Sequence, residues 1–344
     1  MVNRISKKIE LWQQACPDGP SYNDINSFIR FRAQESFETY HPTDGPHPRF
    51  ETRLEKWLDN ITDPNEQRKL FELVPRLYFF GENEFKALYR ASFREIIINW
   101  LIDLRSIDIL NSNLQQEIQS AVDKTWFCSA TDSMDIAGFC HVNMIHGHPD
   151  RPSWRSFAEF ADMTKVKDYI DKRGIEQIVI LEDFIGTGNQ FLGKDEKDKK
   201  TTILHCLKAI GSSYRVLVLP LIACQSGIDN INNTAEIEEC TWVESKAAFI
   251  LSEACFIPED INNNQISLYI SKMNNEEKKD FFELHSLIEK IGQQHRFRYG
   301  PFGYGQAGSL VVLYSNCSDN TLAIVYENTS SWSALFPRTS RVTS

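Results

Sequence analysis

Apolar residues recur along this chain at two different periods, and the period changes near residue 106. Before that point the spacing is helical. Ile5, Ile9 and Trp12 share one face of a short amphipathic helix, ended by the turn residues of CPDGP. Leu54, Trp57, Leu58 and Ile61 repeat the same spacing. The longer stretch EFKALYRASFREIIINWLIDL brings back Phe85, Leu88, Ile96, Trp100 and Leu104 close to the 3.6-residue period. Between these segments YHPTDGPHPRF, from Tyr40 to Phe50, carries three prolines and a glycine and reads as a loop. Residues 1–105 are therefore expected to form a helical N-terminal region, packed on the domain that follows.

Beyond residue 106 the pattern alternates between strand and helix. KTWFCSA, Lys124 to Ala130, has strand composition, and the polar turn TDSMDIAG follows it. IEQIVILED is a continuous apolar run, as a strand buried on both faces of a parallel sheet requires. TTILHCLKAIG predicts a helix stopped by Gly211. YRVLVLPLIAC predicts a second buried strand and AAFILSEACF a third. Strand, helix and strand at this spacing define a βαβ unit, so residues 106–344 are expected to form an α/β domain on a parallel sheet. Near the end, Tyr299 to Arg338 predicts two strands around an NCSDN turn after the glycine-rich GPFGYGQAG. Phe281, Leu284, Ile288 and Ile291 mark an amphipathic helix before it.

Composition narrows the class of protein. Charged residues make up 24% of the 344-residue chain and hydrophobic residues 42%, the balance of a globular protein. No apolar run approaches the roughly 18 residues of a membrane helix, and the N-terminus lacks the apolar core of a signal peptide. A net charge of −10 argues against a generic nucleic-acid binder. The eight cysteines are scattered without a CxxC pair, which predicts reduced thiols in a cytoplasmic protein.

The chemistry concentrates in IVILEDFIGTGNQ, Ile178 to Gln190. A buried strand runs straight into Glu182 and Asp183, and then into a turn with glycines at 186 and 188. Ligands of parallel sheets bind at the carboxyl ends of the strands, where this stretch must lie. The glycines allow a sharp turn that brings backbone amides to an anion. A carboxylate beside a phosphate repels it unless the acid faces another part of the ligand. A sugar diol fits, because a carboxylate accepts hydroxyl protons in charge-assisted hydrogen bonds. Phosphate on the loop and hydroxyls on the acids describe a ribose 5-phosphate.

This stretch resembles the phosphoribosyl-pyrophosphate (PRPP) loop of type I phosphoribosyltransferases: four apolar residues, two acids, two mostly apolar residues, then a threonine- and glycine-rich turn. The resemblance implies a phosphoribosyltransferase-like parallel-sheet core. It implies that Glu182 and Asp183 hold the ribose 2- and 3-hydroxyls, that Gly186, Thr187, Gly188, Asn189 and Gln190 wrap the 5-phosphate, and that magnesium serves as cofactor on pyrophosphate and ribose oxygens. Three residues depart from the pattern. Gly186 stands where a small hydroxylated residue is usual, Gln190 replaces a Thr or Ser, and Phe184 is larger than the usual aliphatic residue. A pyrophosphate loop is also required, and SATDSMDIAG, Ser129 to Gly138, is the candidate, although it has no basic residue. Arg151 and Arg155 are candidates to supply that charge. Together with the downstream GYG and NTL elements, the stretch is similar to phosphoribosyltransferase-like proteins of bacterial conflict and anti-phage loci. That resemblance implies a protein partner from the same defence locus.

The remaining polar features have simpler readings. His41 and His47 are loop histidines, and His205 lies in an apolar helix. His141, His146 and His148 near Asp150 fall into no metal-ligand spacing. GKDEKDKK reads as a solvated loop between the cradle and its helix, so either the helix dipole is not aimed at the phosphate or Asn189 to Leu192 form a first turn. Two functions remain open at this level. One is a transferase or N-glycosidic hydrolase acting at ribose C1. The other is a catalytically weak module that senses PRPP or a nucleotide and works through a partner.

Overall fold

The computed structural model describes residues 4–42, 48–146, 163–192, 203–262 and 264–339. Eight strands lie among them: β1 Tyr78–Phe80, β2 Thr125–Ser129, β3 Gln177–Ile185, β4 Arg215–Cys224, β5 Val243–Ser245, β6 Phe249–Leu251, β7 Val311–Leu313 and β8 Asn316–Cys317. They form a five-stranded sheet ordered β2-β3-β4-β5, with β6 also on β4, and a three-stranded sheet β1-β7-β8. The chain divides into two compact units: Met1–Glu82 with Ser252–Ser344, and Asn83–Leu251.

In the first unit both ends of the chain share one core. Helix Arg4–Ala15 buries Ile5, Ile9 and Trp12, the face its spacing predicts. Helix Tyr22–Glu35 starts at Ser21, whose hydroxyl accepts from Asp24 N, and Pro64–Leu73 starts behind Asp63 with proline in its first turn. The 20-residue helix Asn275–Gln294 opens with a complete capping box between Asn274 and Glu277 and buries Phe281, Leu284, Ile288 and Ile291. Side chains from the N-terminal helices satisfy carbonyls near the C-terminus. Trp57 Nε1 donates to Ile324 O at 2.6 Å, and Trp332 Nε1 donates to the same oxygen at 2.9 Å. The buried Arg53 guanidinium donates to Leu335 O and Phe37 O and packs over Tyr40, Phe50 and Phe336.

Two sequence expectations change here. The C-terminal hairpin turns at Tyr314 and Ser315, so NCSDN does not form the turn: Asn316 and Cys317 are β8 itself. Leu322 to Tyr326, expected in the second strand, instead leads into the short helix Ala323–Tyr326. A short, fully buried apolar run carries no period by which to tell strand from helix.

The second unit is α/β, with a sheet that is parallel throughout. Its lead-in is helix Glu82–Ala91, a π-helical turn Ser92–Ile97 and helix Ile98–Arg105. Phe85 and Trp100 are buried and Leu88 partly so; across the π turn, which shifts the helical phase, Ile97 and Leu101 take buried positions while Ile96 and Leu104 are only partly buried. Connections β2→β3, β3→β4 and β4→β5 all step the same way across the sheet. Right-handed crossovers then place their helices on one face. That face is a single cluster in which Cys128, Ile180 and Val218 meet Ile170, Leu207 and Ile231. On the opposite face Phe127 meets Phe93 and Phe139. Pro220 interrupts β4 without cost. Its carbonyl accepts from Ala248 N, so its missing N–H faces the gap between β5 and β6, where neither strand runs.

Candidate functional site

Strand β3 lies between β2 and β4, and Glu182 and Asp183 stand toward its carboxyl end. The register of β2 on β3, with Ser129 opposite Leu181, brings the segment after β2 directly over the acids. The pyrophosphate-loop candidate and the acidic pair therefore meet in space, from positions some fifty residues apart in sequence.

Their contacts are close. Thr131 Oγ1 donates to Glu182 Oε1 at 2.6 Å, and Thr131 N donates to Glu182 Oε2 at 3.0 Å. Ser133 Oγ contacts Glu182 Oε1 and also Asp183 Oδ1, the latter at 2.9 Å. Asp183 Oδ1 accepts in addition from Phe184 N at 2.7 Å. Consecutive strand residues normally point to opposite faces, yet one hydroxyl reaches both carboxylates. The core-facing set explains it. On β3 this set passes from Ile178 and Ile180 to Ile185, and on β4 from Val216 and Val218 to Ala223. The alternation slips by one residue around the acids on both strands, and the pairing register stays intact.

The acids are 7% and 8% exposed. Burial, and then the neighbouring Asp183 charge, pushes the Glu182 carboxyl up to about 8. Proton counting agrees. Four oxygen–oxygen contacts link Thr131, Ser133 and the two acids, and the hydroxyls supply two protons for them. A proton on Glu182 fills a third.

The turn that follows is clasped by the helix Gln225–Ile237. Gly188 adopts φ +75°, and a β-carbon there would lie 2.9 Å from Gly227 O. Gly227 in turn leaves no room for a β-carbon against Gly186 O. Asn230 Nδ2 donates to Thr187 O at 2.9 Å and contacts Asn189 Oδ1 at 3.4 Å. Thr187 Oγ1 accepts from Asn189 N, and Asn189–Leu192 forms a helical turn directly out of the loop. Gly186, Thr187, Gly188 and Asn189 thus form one continuous turn beyond Asp183; the side chain of Gln190 lies outside the described residues. So do Arg151, Arg155, His47, His148, Asp150 and the GKDEKDKK segment, and likewise the His205 side chain. Among the described residues no group of three or more His, Cys, Asp or Glu side chains is placed to hold a metal, His141 and His146 included. All eight cysteines are free thiols.

Sequence reading missed Gly227 and Asn230. The signal was present in QSGIDNINN, where a glycine in the first turn of a helix is unfavourable unless something must approach closely. Nor did it single out Thr131 and Ser133 within their loop, because polar turn residues look alike before their partners are known.

A parallel sheet with an acidic pair near a strand's end, continued by a glycine turn locked against the helix that follows β4, defines a phosphoribosyltransferase-like core. The family model PRTase-CE matches residues 54–338, and the chain belongs to that family. No curated protein and no solved structure matches it. Among the described residues no helix is long and apolar enough to cross a membrane.

Proposed function

We propose that this protein binds a 5-phosphorylated ribose, as PRPP or a nucleotide, at the carboxyl end of β3. The observation that carries the reading is the join between Asp183 and the Gly186–Asn189 turn: hydroxyl-accepting acids and an amide-bearing turn are separated only by Phe184 and Ile185. Glu182 and Asp183 would take the ribose 2- and 3-hydroxyls, and Gly186, Thr187, Gly188, Asn189 and Gln190 the 5-phosphate.

Magnesium fits this site as a companion of the ligand. The donors at hand are carboxylate and hydroxyl oxygens, the hard ligands it prefers. Two carboxylates fall short of a dedicated cage, so the remaining ligands would be phosphate oxygens and water. When bound, the ion would supply positive charge to a leaving pyrophosphate. The chain's own part would be to orient the ribose and exclude water around C1.

The presence of both acids, Glu182 and Asp183, supports an enzyme acting at C1. A second reading is a sensing module with little turnover. It is supported by the burial of the acids under the Thr131–Ser133 segment, and by the substitutions at Gly186 and Gln190. In either form, we propose an effector in an anti-phage locus working with a partner encoded beside it. Incubation with PRPP or nucleotides and magnesium, followed by assay of pyrophosphate and free base, separates the two. Turnover lost in Asp183→Asn supports the enzyme; saturable binding without turnover supports the module. Binding of neither PRPP nor any nucleotide overturns both.

A further inference from the structure

The side chains that cover the acid pair have the chemistry of the ligand proposed for it. Thr131 Oγ1 and Ser133 Oγ stand 2.7 Å apart, a hydroxyl pair with the spacing of neighbouring hydroxyls on a sugar ring. Thr131 Oγ1 meets Glu182, and Ser133 Oγ meets Glu182 and Asp183 together. These are the carboxylate oxygens that a ribose diol would need. With the acids 7% and 8% exposed, the two hydroxyls occupy the carboxylate oxygens that a sugar diol would have to meet. Burying two adjacent carboxyl groups is unfavourable unless donors meet them, and the hydroxyls and the Thr131 amide are those donors.

The segment is built to leave. Its fixed points are Ala130, whose N is bonded to Leu181 O, and the stretch from the buried Met134 to Asp135, which caps the helix Ile136–Val142 by accepting from Gly138 N. Between them Asp132 is exposed, and Thr131 and Ser133 are only partly buried.

We propose that Thr131 and Ser133 act as an internal diol that closes the acid pair, and that a ribose ligand binds by displacing them. This inference rests on the ribose-phosphate reading above. It makes binding a competition: apparent affinity is reduced by the fraction of molecules in the open state. The closed segment would then be an off state, released by ligand or by a partner that holds residues 130–135 away.

The test compares the full chain with its Thr131→Val/Ser133→Ala variant by calorimetric titration of ribose 5-phosphate and of inorganic phosphate, with magnesium present. If nine molecules in ten are closed, the variant binds ribose 5-phosphate about tenfold more tightly, and phosphate alone binds both proteins equally. Equal or weaker ribose 5-phosphate binding by the variant, with binding by the parent intact, overturns the internal diol and leaves the ribose-phosphate reading standing. Binding by neither protein overturns both. Circular dichroism checks folding, and Ser133→Ala alone replaces the double variant if that does not fold. A second readout uses the parent only. Amide hydrogen exchange across residues 130–135 should accelerate when ribose 5-phosphate is added; slowing there would mean that the hydroxyls join the ligand instead of yielding to it.

Discussion

Gly227 approaches Gly186 so closely that a β-carbon at 227 would stand 2.2 Å from the Gly186 carbonyl oxygen. The neighbour is backbone, so it cannot rotate away, and the turn itself must shift. Gly227→Ala is therefore expected to cost about 1–3 kcal/mol of stability through overpacking. Because the shift falls on the turn proposed to hold the 5-phosphate, binding of PRPP should fall by more than about tenfold, a loss comparable to one misaligned hydrogen bond to a charged group. Thermal unfolding and calorimetric titration measure the two effects. A variant as stable and as tightly binding as the parent would show that helix and loop do not depend on each other.

Glu182 links the site to pH. Its folded value, up to about 8, lies above the ordinary 4.5. The folded state thus holds a proton that the unfolded chain gives up, and stability is lost as pH rises between those two values. Glu182→Gln keeps the neutral shape and removes the titration. Urea unfolding of the parent should therefore lose more stability between pH 5 and pH 8 than that of the variant, by on the order of a few kcal/mol. Equal losses would place the Glu182 carboxyl in its ordinary range.

Trp57 and Trp332 donate to one carbonyl, Ile324 O. Losing either indole leaves that buried oxygen satisfied; losing both orphans it. Each single Trp→Phe change should then cost less than half of the double change. The coupling energy is expected to be about 1–2 kcal/mol, the penalty for an unpaired buried acceptor. A double-mutant cycle by chemical unfolding measures it, and strict additivity would refute the shared-acceptor account.

Features set by local residue types were legible in the sequence. Strands β3 and β4 are covered on both faces, so they are continuous apolar runs, and the acids and glycines of residues 182–188 mark the candidate site by type alone. Features set by distant pairing were not. Strand β1 pairs with β7 from the other end of the chain, and no periodicity encodes that. Strand β5 is three residues long and leaves no pattern. The covering of Glu182 by Thr131 and Ser133 depends on the β2–β3 register, and the clasp of Gly227 and Asn230 on the position of a helix that sequence could place only in order. The π turn at Ser92–Ile97 shifts the helical phase so that Ile97 rather than Ile96 is fully buried, and no residue type announces it.

The proton on Glu182 also gives the proposed ligand a signature. The hydroxyls of Thr131 and Ser133 leave the proton on Glu182, but a ribose ligand that displaces them opens the acids to water and to the magnesium beside the ligand, and both favour the charged carboxylate. At pH 7 burial and the Asp183 charge keep Glu182 protonated, so binding of a ribose 5-phosphate should expel that proton. Inorganic phosphate on the Gly186–Asn189 turn leaves the acids untouched and should expel none from them. Calorimetric titrations at pH 7 in buffers of different ionisation enthalpy give the number directly as the slope of observed heat against buffer enthalpy. The expected release is roughly one proton for ribose 5-phosphate beyond that for phosphate, shrinking as the pH approaches 8. In Asp183→Asn the charge that helps to raise Glu182 is gone, so the release at pH 7 should fall even where some binding persists. Identical slopes for ribose 5-phosphate and phosphate in the parent would mean that the sugar does not meet Glu182, and the assignment of the acids to the ribose hydroxyls would fail.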